Sequence, residues 1–557
     1  MYKKMLLFIS LLLLISGTWA KEIVIYHTTD MHGHYFSRAD KNGNDIGGFA
    51  RLATVLKNTP QPYLLLDSGD FSSGSYEANL SGGKYSTDLM NMVGYTALTI
   101  GNHDSDFGDA GLSKMLADFK GDILAMNMSD LHIPNKNIKP HAIYKVDGIK
   151  VGVIGVAMDG SGSERMKIVN APSTKDYEKQ IRALKRKGAK VIIVLAHDSM
   201  LAGDNVSKDK RTNILIPIEQ AKNFGDVSLM LGGHAHTQTL VGKITDEEGR
   251  GPWVLESGPY MGSVTKIVIN KDDRTGEITI NQPEFIILDG EEDSNVKSYL
   301  DSIRNTDLDN SIYAVVPKLI TKYPAADQKD RAPAVARMMS DQMYKKIKEA
   351  DPQDHVDIAA FSLNSTRSDY KPGNLTGRYF AEMAPYEEHC GTFDIGGEHL
   401  LNGILESIGY RDGNCFSVYG YSKNVHITFV CNEPTPEQPE IQPVIQSVTI
   451  DGKEVDPKKT YRMAMLTHLP RGFYEGKPFQ IMPSDAIDDG TIIKHYRDIT
   501  VAKMLFGVIE QLAEEQNKEV PDFVAPRDVQ IEEVSSQERA IENEVKTLLN
   551  NNLQKIK

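Results

Sequence analysis

The stretch GNHDSDFG, residues 101–108, places amide, imidazole and carboxylate side chains in one short segment. The apolar run before it, residues 97–100, predicts a buried strand. A loop that follows such a strand lies at the carboxyl edge of the sheet, where open α/β sheets bind ligands. Asn102 can offer an amide oxygen to a metal, and Asp106 is close enough in sequence to orient the ring of His103. Taken alone, the loop could also be a turn whose polar groups are satisfied.

Four other loops follow predicted strands and carry matching chemistry. These strands are predicted at residues 22–26, 63–66, 191–196 and 227–231. Because each loop leaves the carboxyl edge of a sheet, we expect the polar side chains of all five loops to lie together. In addition to the residues of the first loop, they offer Asp30, His32, Asp70, His197, His234 and His236.

This set of side chains indicates a site for two metal ions. Aspartate, asparagine and imidazole together suit Mn, Zn, Fe or Co, whereas Ca prefers oxygen ligands alone. The ligands are too many for one ion and suffice for two. Two ions about 3.5–4 Å apart, bridged by a carboxylate, are the known geometry for phosphate ester hydrolysis. We interpret His27, His34 and His132 as structural, because a lone histidine near a strand end is more often simply hydrogen-bonded.

Composition and strand pattern predict a two-domain α/β protein. The chain has 557 residues, too many for one core. Strands alternate with helices up to about residue 281, which predicts an α/β sandwich, and a helix at 334–350 leads into a second α/β region. The net charge of −14 argues against a partner such as a nucleic-acid polymer, which favours a basic surface.

The predicted organisation has five parts. They are a signal peptide (1–20), a first domain (21–315), a connecting segment with a helix (316–355), a second domain (356–531) and a charged helical tail (532–557). We expect the tail to pack on its own domain, with a dimer contact as the alternative, and the protein to be a monomer.

The N-terminus has the pattern of a secretory signal peptide. Lys3 and Lys4 precede an apolar run at 5–15, and Ala20 provides a small residue for cleavage. The alternative is an uncleaved membrane anchor, but the run is short for a membrane span. The sequence therefore predicts an exported protein, periplasmic or secreted, without stable membrane insertion.

The three cysteines, Cys390, Cys415 and Cys431, allow at most one disulfide, and the sequence does not select the pair. Their spacing matches no zinc motif. Buried free thiols are therefore the default expectation.

Four motifs are similar to those of the calcineurin-like metallophosphoesterases: DMH at 30–32, GD at 69–70, GNHD at 101–104 and GGHAH at 232–236. Within that superfamily, HTTDMHG at 27–33 and the Asp106 that follows His103 resemble the 5′-nucleotidase family, whose members include periplasmic UDP-sugar hydrolases. The resemblance implies a four-layer α/β sandwich followed by a second α/β domain that binds substrate. It is strong to about residue 263 and weaker beyond.

The resemblance also assigns roles residue by residue. Metal one would be held by Asp30, His32, Asp70 and His236. Metal two would be held by Asp70, Asn102, His197 and His234, so that Asp70 bridges the ions. His103 and Asp106 match the catalytic dyad of the family, which implies hydrolysis by attack of a metal-held hydroxide on phosphorus. Thr29 and Asp104 stand where the family usually has Asn and Glu, and neither is expected to bind metal.

Candidate substrate residues lie in the C-terminal half. Arg367 matches the arginine of the family's Asn-Gly-Gly-Gly-Ile-Arg loop, although the glycines do not match, and Lys371 could help from the same loop. Phe416 lies near the first of two aromatic rings that clamp the base in the family. The Gly-Gly-Asp-Gly loop of the second ring is missing, and Phe473 or Tyr474 could replace that ring. For each aromatic residue, a place in the core is the alternative.

The leading interpretation is a secreted metallophosphatase that acts on nucleotides. A related hydrolase for UDP-sugars, 2′,3′-cyclic nucleotides or thiosulfonate is the second. A catalytically silent binding protein is the third, and the complete set of ligands with the His103–Asp106 pair argues against it.

Overall fold

The computed structural model of the chain describes residues 21–40, 43–128, 131–158, 172–199, 225–316, 334–367, 373–386, 388–411, 414–432, 442–471, 479 and 492–514. The predicted signal peptide and the charged tail lie outside these residues. Within them, no helix combines the length and the hydropathy that a membrane span requires.

The first sheet is centred on Lys21–Thr28. This strand runs parallel to Tyr63–Asp67, and the parallel order continues through Ala97–Leu98 and Asp122–Ile123. On its other side, Ser263–Lys271 pairs with it in the antiparallel direction. Two further antiparallel strands pair with Ser263–Lys271, namely Ile278–Ile280 and Glu284–Ile287.

The second sheet places Val191–Ala196 between Ile149–Val156 and Leu229–Gly232, and all three strands run parallel. Every residue of Val191–Ala196 is buried. A continuous apolar run is typical of a parallel strand whose two faces are both covered. The sheet continues with Trp253–Ser257, in parallel, and ends in the antiparallel edge strands His141–Val146 and Gln238–Lys243.

The two sheets pack face to face, through aliphatic side chains such as Ile25 and Leu66 from one sheet and Ile193 and Leu231 from the other. Helices cover both outer faces. The first sheet is covered by Phe49–Lys57, Lys84–Val93 and Gly108–Ala117, and the second by Thr174–Arg186. These layers form the four-layer α/β sandwich that the sequence resemblance implied.

The C-terminal domain is built on a third sheet around Thr460–Leu466. This strand runs parallel to Ile358–Ser362 and antiparallel to His389–Gly396. The outer strands are Tyr419–Tyr421 and Lys494–Thr500. Helices Ala334–Ala350 and Val501–Glu514 pack against each other and share one apolar core with the sheet.

The remaining elements are short or lie outside the three main sheets. The helices among them are Tyr76–Leu80, Ser294–Ile303, Thr306–Asn310, Gly377–Met383 and Gly397–Glu406, with single 3₁₀ turns at His103–Ser105, Leu363–Ser365 and Leu469–Arg471. The strands form the pairs Arg38–Ala39 with Asp45–Ile46, Ile312–Val316 with Gly373–Thr376, and Ile408–Arg411 with Asn414–Ser417, and a ladder of Val425–Asn432, Gln442–Ile450 and Lys453–Glu454.

One predicted strand is shorter than expected. Residues 97–100 were predicted to form a strand, but the strand is Ala97–Leu98. Beyond it, the carbonyl of Ile100 accepts a hydrogen bond from the backbone N–H of Met158, which follows a strand of the second sheet. The chain therefore joins the two sheets just before the loop that carries His103.

A buried ion pair connects the two domains. Glu77, on Tyr76–Leu80, is fully buried and accepts hydrogen bonds from both terminal nitrogens of Arg378 at 2.9 and 2.8 Å. It also accepts one from the backbone N–H of Asn305 at 3.1 Å. Arg378 lies on Gly377–Met383 and pairs in addition with Asp309. Since a buried charge is stable only with such partners, the two side chains depend on each other across the domain boundary.

Glu77→Ala is expected to lower the melting temperature by about 6–12 °C, because removing one partner of a buried ion pair costs about 3 kcal/mol. Differential scanning calorimetry would measure the shift. Glu178→Ala is the matched control, because Glu178 pairs with Arg182 where both side chains are about half exposed. Such surface pairs contribute little, so the control should melt within about 2 °C of the wild type. Equal shifts in the two variants would contradict a stabilising role for the buried pair.

Candidate metal centre

The predicted ligands come together at the carboxyl edges of the first two sheets. In the first sheet, the loops that carry them follow Lys21–Thr28, Tyr63–Asp67 and Ala97–Leu98. In the second sheet, the loops follow Val191–Ala196 and Leu229–Gly232. The side chains brought together are Asp30, His32, Asp70, Asn102, His197, His234 and His236.

These side chains form two groups that share Asp70. In the first group, ligand atoms of Asp30, His32, Asp70 and His236 all lie within 4.8 Å of one another. The second group contains Asp70, His197 and His234 within the same limit. The amide Oδ1 of Asn102 lies 3.1 Å from Nε2 of His197 and 3.0 Å from Nδ1 of His234, which adds it to the second group. The grouping coincides with the two predicted ligand sets.

The hydrogen bonds around the histidines leave their lone pairs facing inward. Nδ1 of His32 lies 2.9 Å from the carbonyl oxygen of Ser73, and Nδ1 of His197 lies 2.8 Å from that of Ser68. Because a carbonyl oxygen only accepts, each Nδ1 must carry the proton. In the neutral rings, both Nε2 atoms are then left as acceptors. Nε2 of His32 faces Nε2 of His236 at 2.9 Å.

The carboxylate of Asp70 completes this cluster of acceptors. Its Oδ2 is buried and has no hydrogen-bond partner among the described residues. Nε2 of His197 and Nε2 of His32 lie 3.1 and 3.6 Å from it. Acceptors that crowd together in a buried place need a cation between them, and imidazole with carboxylate is a donor set for a borderline divalent metal. The residues therefore fit a divalent metal cofactor.

The electrostatics of the cluster also favour the binding of a divalent metal. Burial lowers the pKa of His32 and of His236 well below the usual range, and lowers that of His234 to about 3, so these rings are neutral ligands. Burial disfavours charge on His197 too, but Asp70 outweighs it and raises the pKa of His197 to about 10. A proton on His197 and a metal ion are thus alternative ways to neutralise Asp70, and metal binding would release that proton.

Five of the seven side chains stand on left-handed backbone, with φ of 51° at Asp30, 48° at His32, 56° at Asp70, 73° at His234 and 55° at His236. Non-glycine residues rarely adopt this conformation, which costs on the order of 1 kcal/mol and is concentrated at functional sites. In the Asp30–His32 and His234–His236 loops, this backbone conformation accompanies two side chains of one loop that both reach the ligand cluster. The surrounding fold therefore enforces the backbone conformation that positions these ligands.

Asp104 organises two of the loops. Its carboxylate accepts hydrogen bonds from the backbone N–H groups of Gly101, Asp70, Phe71 and Ser72 at 2.8–3.1 Å, and from the Ser72 hydroxyl at 2.7 Å. Asp104 thus fixes the loop of Asp70 against its own loop. The sequence placed Asp104 outside the ligand set but gave no sign of this role, because the bonded amides of the other loop are more than 30 residues away.

Thr29 bonds to Asp30, one of the predicted metal ligands. The hydroxyl of Thr29 donates to Oδ2 of Asp30 at 2.8 Å, and the same carboxylate accepts from the backbone N–H of His234. These bonds orient Asp30 toward the first group. His27 is structural, as predicted, because its ring nitrogens bond to the hydroxyls of Ser257 and Ser68 at 2.6 and 2.8 Å.

Two tyrosines that the sequence did not single out contact the cluster. The hydroxyl of Tyr260 lies 3.1 Å from Nδ1 of His236 and orients that ring. Tyr260 also has left-handed backbone, with φ of 61°. Tyr386 reaches His32 and His103 from the C-terminal domain. No motif surrounds either residue, so only the folded chain reveals them.

The predicted dyad lies beside the metal centre. Nδ1 of His103 is 3.0 Å from Oδ2 of Asp106, and the Ser73 hydroxyl donates to the same oxygen at 2.8 Å. Burial disfavours a charge on His103, but Asp106 outweighs it and raises the pKa of His103. The backbone N–H of His103 donates to Oδ1 of Asp70 at 2.7 Å. The backbone of His103 is therefore bonded to the shared carboxylate, while its ring is bonded to Asp106.

The structure describes two of the predicted substrate-binding residues and places them in different surroundings. Arg367 follows the turn Leu363–Ser365, and its guanidinium lies 4.7 Å from the ring centroid of Tyr386, next to the cluster. Phe416 lies on Asn414–Ser417, where its partly buried ring packs against the core of the C-terminal domain, and a stacking role for it stays a prediction. Lys371, Phe473 and Tyr474 lie outside the described residues.

The cysteine prediction is correct in part. Cys390 is a buried free thiol. The prediction is wrong for Cys415, which is disulfide-bonded. An odd number of cysteines permits one pair, and spacing alone could not identify a member of it.

Comparison with known proteins places this centre in a family. Residues 23–238 match the calcineurin-like phosphoesterases, and residues 316–480 match the 5′-nucleotidase C-terminal domain. The NAD 5′-nucleotidase of Haemophilus influenzae is 24% identical over 70% of this chain and 73% of its own, and the 5′-nucleotidase of Bos taurus is 24% identical over 88% and 90%. The structure of a 5′-nucleotidase precursor from Thermus thermophilus superposes with a TM-score of 0.69 at 19% identity, over 91% of this chain and 98% of that one. The chain therefore combines a calcineurin-like phosphoesterase domain with a 5′-nucleotidase C-terminal domain.

Proposed function

We propose that this metal-dependent phosphoric ester hydrolase is exported, holds two divalent ions and removes phosphate from nucleotides. The observation that carries the proposal is the pair of ligand groups that share Asp70, with His103 and Asp106 beside them. The nucleotide substrate is supported by the relatives, which are named NAD 5′-nucleotidase and 5′-nucleotidase. Export is supported by the sequence of residues 1–20.

The residues of the chain have separate tasks in this reaction. The first group would hold one ion and the second group the other. Bound divalent ions supply positive charge to phosphoryl oxygens and acidify water. His103 stabilises the charge that develops on the phosphoryl group or gives a proton to the leaving oxygen, and Asp106 holds its ring for that purpose.

Arg367 supplies a cation on the substrate side. Its guanidinium lies 4.7 Å from the centroid of the Tyr386 ring, which stacks on His103, so it lies close to the centre. The planar fork of arginine binds two oxygens at once, which suits a phosphate or a ribose. We assign Arg367 to substrate binding.

Arg367→Ala is expected to raise KM for AMP by about 10- to 100-fold, because a hydrogen bond to a charged group contributes about 1.5–3 kcal/mol. Steady-state kinetics would measure the change. Arg182→Ala is the matched control, since Arg182 lies on Thr174–Arg186 with a side chain 62% exposed, and it should leave KM unchanged. A normal KM in Arg367→Ala would contradict the assignment.

A substrate panel tests the proposed function. The purified protein is incubated with Mn, Zn, Fe or Co and with AMP, a UDP-sugar, a 2′,3′-cyclic nucleotide, a thiosulfonate and p-nitrophenyl phosphate. We expect metal-dependent hydrolysis with the largest kcat/KM for AMP, followed as phosphate released from AMP and as the specific hydrolysis product of each other substrate. A larger kcat/KM for another member of the panel would assign that substrate instead. Failure on every member with every metal would contradict hydrolase function.

A further inference from the structure

Tyr386 contacts three functional side chains at once, although it belongs to the C-terminal domain. Its ring stacks on that of His103, with centroids 4.3 Å apart and planes inclined by 19°. Its hydroxyl lies 3.0 Å from Nδ1 of His32. The guanidinium of Arg367 lies 4.7 Å from the centroid of the same ring.

The segment that carries Tyr386 is held on both sides. The preceding residue, Pro385, accepts a hydrogen bond through its carbonyl oxygen from the side chain of Asn79 at 2.7 Å. Asn79 in turn accepts one from the backbone N–H of Gly74, next to Ser73. On the C-terminal side of the interface, the backbone N–H of Arg367 donates to the carbonyl of Met383 at 2.9 Å. Tyr386 is therefore placed by both domains.

The contacts of Tyr386 constrain the two imidazoles in different ways. The protonated Nδ1 of His32 faces two acceptors, the carbonyl of Ser73 and the hydroxyl of Tyr386, and this directs Nε2 toward the first ligand group. The ring of His103 is held at its Nδ1 edge by Asp106. Stacking on Tyr386 restricts the tilt of the His103 ring about that bond, which a single hydrogen bond leaves free.

We propose that Tyr386 is a positioning residue that orients His103 through its ring and His32 through its hydroxyl. The C-terminal domain then completes the hydrolytic centre in addition to binding substrate. This inference rests on the proposed function, because it concerns the orientation of the dyad in phosphate ester hydrolysis. A role in interface packing alone is the competing explanation.

A double-mutant cycle separates the two explanations. Tyr386→Leu, His103→Ala and the combined variant are assayed with p-nitrophenyl phosphate at saturating Mn. Misplacing a catalytic group by about 1 Å costs up to roughly 100-fold, so Tyr386→Leu should lower kcat by about 10- to 100-fold and change KM little. In the His103→Ala background at saturating Mn the same change should cost less than about threefold, because the part of its effect on kcat that acts through the His103 ring is already lost.

The conservative variant isolates the hydroxyl. Tyr386→Phe keeps the ring and should recover most of the kcat that Tyr386→Leu loses. Both variants lose the oxygen next to His32 and should bind Mn up to about tenfold more weakly, as measured by titration of the metal-free protein. Tyr344→Leu is the matched control in the same domain, because Tyr344 is half buried on Ala334–Ala350 and should leave kcat unchanged.

Each outcome decides the inference. Equal losses from Tyr386→Leu in the two backgrounds, or an equal loss in Tyr344→Leu, would show a general packing defect and overturn the inference. Normal kcat in Tyr386→Leu would also overturn it, while the wild-type activity and the loss in His103→Ala would leave the proposed function standing. A wild-type protein that hydrolyses no phosphate ester would overturn both.

Discussion

Asp70→Asn is expected to lower kcat by at least roughly 10³-fold and to weaken both metal sites. Asp70 is the side chain that belongs to both ligand groups, and it is fully buried. Burial alone would raise its pKa, but the nearby His197 and His103 hold it well below the ordinary value, so the substitution removes a negative charge that these rings favour. Losing a preorganised charge at a reacting centre costs about 10²–10³ in rate, and losing a metal costs more.

Metal analysis of the purified variant would accompany the kinetics. Asp67→Asn is the matched control, because Asp67 is an equally buried aspartate at the end of the strand that leads into the same loop. It bonds to the Thr28 hydroxyl and to the backbone N–H of Gly69, outside the ligand groups. The control should retain both ions. Two tightly held ions and normal turnover in Asp70→Asn would show that the shared-ligand assignment is wrong.

His103→Ala is expected to lower kcat by about 10²–10⁴-fold while the metal content stays intact. The side chain is 18% exposed and bonds to Asp106, and it stands outside both ligand groups. Its removal therefore takes away a proton donor or charge stabiliser and leaves every predicted ligand in place. Turnover of p-nitrophenyl phosphate and metal analysis of the same sample would test this. Loss of metal would instead identify His103 as a ligand.

The chemistry of the centre could be predicted from sequence because each ligand follows a strand end. Runs such as residues 191–196 are apolar throughout, which marks a parallel strand, and the loops after parallel strands must share one edge. Asp30, Asp70 and His197 could therefore be placed together although they are far apart in the chain. The motifs then divided the ligands between two ions.

The supporting residues could not be predicted in this way. Asp104, Tyr260 and Tyr386 act through contacts between segments that only the packed structure brings together. Asp104 lies in the GNHD motif, but the motif does not indicate its bonds to the other loop, and no motif surrounds Tyr260 or Tyr386. The role of Phe416 stays a prediction, because an aromatic residue suits a core and a stacking site equally well. The pairing of Glu77 with Arg378 likewise depends on how two domains meet, and local pattern carries no information about it.

The left-handed backbone of the ligand loops sets stability against activity at the same positions. Glycine adopts that conformation at no steric cost, and it would also remove one of the crowded acceptors. Replacing a histidine such as His234 by glycine would thus relieve two unfavourable features while deleting a ligand. Selection for thermal stability alone would favour changes that erase the centre, so only continued selection for turnover keeps these residues in the chain.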